Sequence, residues 1–137
     1  MEIHEVRENR KRYLPLLLLA DEQEDMIDRY LPRGWMFVLD DGGVKAECVV
    51  TKEADGVYEL KNLAVEPAFQ GRGYGRALIE YVFVRFPDCR TLLAGTGDSP
   101  LTLPFYEKCG FREFRRIRNF FTDNYDHPII EAGVPLR

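Results

Sequence analysis

The apolar residues of "RKRYLPLLLLADEQEDMIDRYLPRG" (10–34) gather at helical spacing in two groups, punctuated by Pro15 and by Pro32-Arg33-Gly34. Two short helices are predicted there. From Trp35 to Val65, "WMFVLDDGGVKAECVVTKEADGVYELKNLAV", the pattern is that of three strands. Asp41-Gly42-Gly43 and Ala54-Asp55-Gly56 supply hairpin turns, with glycine where a positive φ is required. In the third strand Tyr58 and Leu60 alternate regularly, but Leu63 and Val65 are one step out of phase. Either a β-bulge or burial on both faces produces such a slip.

Beyond "QGRGYG" (70–75), the residues Ala77, Leu78, Tyr81, Val82 and Phe86 keep helical spacing until Pro87. "CRTLLAGT" has the character of a short buried strand. "GDSPLTLPFYEKCGF" predicts a helix with Ser99 as N-cap, Pro100 at its first position and Gly110 as C-cap. "REFRRIRNFF" returns to strand pattern, and the loop-like tail leaves room for one last strand. The expected fold is α/β: a single domain over residues 1–137, with a mixed, mostly antiparallel sheet and helices on both faces.

Composition narrows the function classes. Nineteen basic and 23 acidic residues give a net charge of −4 and a pI near 5.3, which disfavours nonspecific nucleic-acid binding and suits a cationic substrate. The acidic stretch 21–28 reads first as a solvated helix face. Cys48, Cys89 and Cys109 show no CxxC spacing, so neither a disulfide framework nor a zinc site is expected. The run "LPLLLLA" is too short to span a bilayer and lacks the flanks of a cleaved signal. A cytoplasmic protein without membrane, metal or nucleic-acid partners is the resulting expectation.

The glycine stretch fails the dinucleotide fingerprint, because the third glycine would fall on Arg76 or Leu78, and it lacks the Lys-Ser/Thr of a Walker A loop. What remains is Q-x-x-G-x-G entering a helix. The backbone N–H groups from Gly71 to Arg76 would converge at a helix N-terminus, where the macrodipole favours an anion. Arg72 and Arg76 add charge. A purely structural turn is the plainer alternative.

"LAVEPAFQGRGYGRALIE" resembles the acetyl-CoA motif of the GCN5-related N-acetyltransferases (GNAT), and "FYEKCGF" resembles that family's second characteristic helix. The resemblance spans about one domain's length, residues ~35–120. Towards its end, "RNFFTDNYDHPIIEAGV" is similar to a small bacterial subgroup of uncharacterised acetyltransferases. A GNAT-like fold is therefore expected, with acetyl-CoA as acetyl donor.

What the resemblance implies can be stated residue by residue. Gln70, Gly71, Arg72, Gly73, Tyr74, Gly75 and Arg76 would hold the diphosphate of acetyl-CoA. Leu63, Ala64 and Val65 would offer main-chain groups to the pantetheine arm and an N–H to the thioester oxygen. Tyr106 matches the tyrosine that protonates or holds the leaving thiolate; its alternative is an ordinary helix residue. Glu59 matches the glutamate that acts as base in histone-acetylating members; as a strand glutamate it reads equally well as a surface residue, with Asn62 polarising a water instead. Ser99 stands where many members carry a cofactor-contacting Asn, and Pro104 falls inside the helix that carries Tyr106.

By the same resemblance the acceptor is a primary amine of a small molecule or peptide, attacked directly in a ternary complex without metal. Asp25, Asp28, Tyr30, Trp35, Phe120, Phe121, Asp123, Tyr125 and Asp126 are acceptor-side candidates, carboxylates and aromatics suited to a cation. They suit an ordinary solvated rim equally. Family members often pair, so a homodimer is compatible. The alternatives are a non-catalytic acyl-CoA-binding regulatory module and a nucleic-acid binder using the stripe from Arg112 to Arg118.

Overall fold

The computed structural model describes residues 1–95, 106, 108–117 and 127–133. The chain opens with a strand absent from the sequence reading, β1 (Glu2–Val6), followed by a 3-10 turn, α1 (Leu14–Ala20) and α2 (Glu24–Tyr30). Pro15 lies within the first turn of α1, where its missing N–H costs nothing. The expected meander follows as β2 (Trp35–Asp40), β3 (Val44–Ala54) and β4 (Val57–Val65). Gly42, Gly43 and Gly56 take positive φ in its turns.

Next come α3 (Tyr74–Arg85), β5 (Thr91–Gly95), β6 (Arg112–Ile117) and β7 (His127–Gly133). The strands form one sheet in the order β1-β2-β3-β4-β5-β7-β6. Every neighbouring pair is antiparallel except β4–β5, which α3 connects as a parallel crossover.

The sheet is buried on both faces, which explains the apolar run of β2. Phe37 and Leu39 point into one cluster with Leu78 and Val82 of α3 and with Phe86; Met36 and Val38 point into the other, with Leu17 of α1 and Ile27 and Tyr30 of α2. Strand alternation makes this division.

Both readings of the phase slip in β4 hold. Val49 pairs with Asn62 but Val50 pairs with Leu60, so Lys61 is the extra residue of a β-bulge. Beyond it Leu63 and Val65 pack on the α3-side cluster that Tyr58 and Leu60 occupy, while Asn62 and Ala64 are also buried. Pairing of β4 with β5 runs from Val57–Thr91 to Leu60–Ala94, whereas β4 itself continues to Val65. The residues from Lys61 to Val65 therefore extend past the parallel ladder, an edge without a strand partner on that side among the described residues.

Candidate acetyl-CoA site

This edge of β4 leads directly into the glycine loop. Pro67–Phe69 form a 3-10 turn, and Gly73, at φ 87°, is the N-cap residue of α3. Gly71 lies at φ 81°. At both glycines an added Cβ would meet nothing within 4 Å. Backbone conformation demands glycine here, and the space in front of the loop is open.

No side chain caps α3, and its first intrahelical bond runs from Ala77 N–H to Gly73 C=O at 3.0 Å. The preceding N–H groups, from Tyr74 to Arg76, thus lack intrahelical partners at the positive end of a 12-residue helix. Uncapped donors beside an open glycine cradle fit a diphosphate.

Cations gather around this cradle. Lys45 Nζ stands 4.2 Å from the Phe69 ring centroid and the Arg72 guanidinium 5.1 Å from it. Arg76 pairs loosely with Glu80 at 3.6 Å on an exposed face. Sequence reasoning passed over Lys45 and Phe69, since Lys45 lies at the start of β3 and meets the loop only through the fold.

Two loop side chains are structural as well. Gln70 donates its side-chain amide to the Val65 carbonyl at 3.2 Å, closing the turn between strand edge and loop. Tyr74 is buried, and its hydroxyl donates to Asp41 Oδ2 at 2.6 Å. That bond to a carboxylate, aided by burial and opposed by Arg72, raises the phenol's pKa.

Tyr106 sits in the α3-side cluster at 7 % exposure, edge-on to Phe111 with ring centroids 5.1 Å apart. Its carbonyl accepts from the N–H groups of Cys109 and Phe111, and Gly110 takes φ 98° between them, the C-cap that the sequence implied. Burial chiefly, with negative potential from Cys48 and Glu47, drives the Tyr106 pKa upward. The phenol therefore stays protonated near neutral pH. Ser99 and Pro104, expected earlier in the same helix, lie outside the described residues.

On the acceptor side, the candidates separate. Glu59 lies opposite Thr51 on β3 and pairs with Lys61 Nζ at 3.1 Å. Asp28 is exposed and bound to Lys11 at 2.6 Å, and Asp25 is exposed. Trp35 packs on Phe86 at 4.8 Å in the α3-side cluster, so it does not join Tyr30, which is buried on the opposite face. Phe120, Phe121, Asp123, Tyr125 and Asp126 lie outside the described residues.

One residue on that face had no signal in the sequence. Glu47 is 0 % exposed, on the β3 face it shares with Val49, and neither carboxyl oxygen has a well-formed hydrogen bond among the described residues. Burial pushes its pKa well up, and the nearby Ala64 N–H pulls it partly back. Among the described residues no group of three or more potential metal ligands occurs, and no helix is long and apolar enough to cross a membrane.

Known proteins resemble this chain in sequence and in fold. Residues 32–113 match the family model described as an acetyltransferase (GNAT) domain. An uncharacterized N-acetyltransferase of Bacillus subtilis, YvbK, is 35% identical over 126 residues, covering 89% of this chain and 81% of its own. A GNAT family acetyltransferase from Elizabethkingia anophelis, solved with acetyl-CoA bound, shares 29% identity at TM-score 0.87, over 97% of each chain. An IAA acetyltransferase from Bacillus cereus shares 28% identity at TM-score 0.86, over 97% of this chain and 99% of that one.

Proposed function

Because the chain belongs to the GNAT acetyltransferase family, we propose that it transfers the acetyl group of acetyl-CoA to a primary amine of a small molecule or peptide, by direct attack in a ternary complex. The observation that carries this reading is the uncapped N-terminus of α3 behind Gly71 and Gly73, opening onto unfilled space with Lys45, Arg72 and Arg76 nearby. An anion bound there gains both orphan N–H groups and the helix dipole.

Each part of the chain then has a task. The N–H groups from Gly71 to Arg76 bind the diphosphate. The strand edge from Lys61 to Val65, beyond the parallel ladder, pairs with the pantetheine amides as an added strand would. A main-chain N–H on that edge polarises the thioester carbonyl, which makes the acetyl carbon electrophilic. Tyr106, held neutral by burial, gives its proton to the departing thiolate. The amine must lose a proton before it attacks, and a carboxylate on the acceptor face receives it.

The test is incubation with acetyl-CoA and a panel of primary amines, following thiol release and N-acetylated product by mass spectrometry. Saturable, enzyme-dependent product from at least one amine supports the reading. Tight acetyl-CoA binding with no transfer to any amine would instead leave the chain as an acyl-CoA-binding module.

A further inference from the structure

Beneath α1 and α2 the buried polar groups are arranged unusually. Asn62, at 3 % exposure, donates its side-chain amide to the Leu17 carbonyl of α1 and to the Tyr30 hydroxyl of α2, each at 3.0 Å. The Leu17 carbonyl can only accept, so the Asn62 amide orientation is fixed and Oδ1 points elsewhere. Tyr30 passes its own proton to Asp21 at 3.2 Å. Among the described residues, both oxygens of Glu47 and Oδ1 of Asn62 are buried without a well-formed hydrogen bond, the Ala64 N–H lying only near enough to Glu47 to lower its pKa in part.

These groups share a neighbourhood. Glu47 pairs with Ala64 and Val49 with Asn62, so Glu47 and Asn62 are diagonal neighbours across the β3–β4 ladder. Burial chiefly raises the pKa of the Tyr30 phenol, and Glu47 lies close enough to add a little to it. Native proteins rarely leave such atoms unsatisfied, because each forfeits its hydration without recompense, and exceptions mark functional sites or bound water and ions. The three orphan atoms accept hydrogen bonds when Glu47 is ionised, so their missing partner is a donor and a cation. A primary ammonium, with three N–H bonds and one positive charge, has that complement.

We propose that Glu47, rather than Glu59, is the carboxyl that receives the acceptor amine and takes its proton, with Asn62 Oδ1 completing the ammonium site. This rests on the acetyltransferase reading. Ala64, directly across from Glu47, belongs to the strand edge assigned to the thioester. The amine would therefore stand beside the carbon it attacks. Glu59, by contrast, already holds Lys61 in an ion pair.

The chemistry balances without a further reactant. The ammonium gives one proton to the Glu47 carboxylate, and the freed nitrogen lone pair forms the N–C bond to the acetyl carbon. The C–S bond breaks, and the thiolate takes the proton from Tyr106. The amide nitrogen then releases its second proton, and solvent exchange restores Tyr106 and Glu47. Burial that disfavours an isolated carboxylate also favours the neutral amine–carboxylic acid pair over the ion pair, which is the reactive arrangement. The titratable groups that couple to Glu47 are Tyr30 on α2, Cys48 beside it on β3, and Tyr106; Asp21 acts through Tyr30. Burial holds the two phenols and the thiol neutral around pH 7, so among these groups the acid limb belongs to Glu47, beside the limb that the acceptor amine's own ionisation sets.

The experiment compares wild type, Glu47→Gln, Glu47→Asp and Glu59→Gln. Acetyl-CoA binding is measured by calorimetry, and kcat/KM against pH with n-butylamine, tryptamine and an alanyl peptide. Glutamine is isosteric with the neutral carboxyl, and circular dichroism confirms the fold of each variant. The expected result is acetyl-CoA affinity within ~3-fold of wild type but a ~10²–10³-fold fall in kcat/KM for Glu47→Gln. Its acid limb should then follow the acceptor amine's own ionisation alone, shifting between n-butylamine and the alanyl peptide, and Glu47→Asp should restore the Glu47 limb with part of the rate. Retention of rate and of that limb in Glu47→Gln, or their loss only in Glu59→Gln, overturns the assignment. So does a wild type that binds acetyl-CoA yet acetylates none of the amines. A wild type that binds no acetyl-CoA refutes the acetyltransferase reading itself and the amine site with it.

Discussion

The Tyr74 hydroxyl donates to Asp41 across 2.6 Å, tying the first residue of α3 to the turn between β2 and β3. Asp41 also faces the N-terminal ammonium at 3.8 Å. The glycine loop is thus anchored at its helix end by a bond to a hairpin more than thirty residues earlier in the chain. A loop made of positive-φ glycines has little conformational preference of its own, so this anchor supplies order that the loop's composition does not.

Tyr74→Phe removes the bond while keeping the ring. It is expected to weaken acetyl-CoA binding by ~3–10-fold and to lower Tm by about 2–5 °C. Asp41→Asn should act in the same direction, and the double variant should lose less than the two single losses combined. Additive losses would mean that the two residues act separately.

Gly73→Ala places a Cβ in open space but at φ 87°, so its cost is conformational. A destabilisation of ~1–2 kcal/mol is expected from denaturant unfolding. Gly73→Asn should cost less, because asparagine tolerates the left-handed region and its side chain can cap the helix. An equal cost for both would point to crowding rather than strain.

Tyr106→Phe keeps the edge-on contact with Phe111 and deletes the hydroxyl. A fall in kcat of ~10–100-fold with acetyl-CoA affinity unchanged is expected if the phenol acts in the transition state alone. A rise in KM with unchanged kcat would assign it to binding instead.

Away from the site, the Tyr58 hydroxyl donates to both oxygens of Asp88, at 2.9 and 3.0 Å. Burial and this bond push the Tyr58 pKa up to about 12, while the bond from Tyr58, with Lys52 assisting, lowers that of Asp88. A carboxyl whose folded pKa lies below its unfolded one adds stability above the unfolded value. That contribution is lost as pH falls through the folded value. Tyr58→Phe should therefore lower Tm at pH 7 and narrow its gap to wild type on acidification below the ordinary carboxylate range. A gap independent of pH would exclude the Asp88 linkage.

Much of the fold and the loop half of the site were legible in the sequence because they depend on local chemistry. Glycines at positive φ, the phase slip that Lys61 causes, and the C-cap at Gly110 each leave a mark within a few residues. β1 left none: Glu2–Val6 pairs only with β2 at the sheet edge, and its alternation is mostly polar. Lys45 and Asp41 join the loop only through the meander's return. Glu47 looked like any strand glutamate, since its burial depends on what the fold packs over β3, which no local pattern encodes. Asp25 and Asp28 face solvent, as the solvated-face reading of the acidic stretch has it.

The most direct measurement is calorimetric titration of acetyl-CoA into the full chain, alongside Gly73→Glu, which sets a negative side chain at the mouth of the cradle. Saturable binding to wild type, lost in Gly73→Glu while Val84→Gln on the exposed face of α3 binds as before, is the expected result. No binding to folded wild-type protein, or equal binding by Gly73→Glu, would contradict an anion site at the N-terminus of α3.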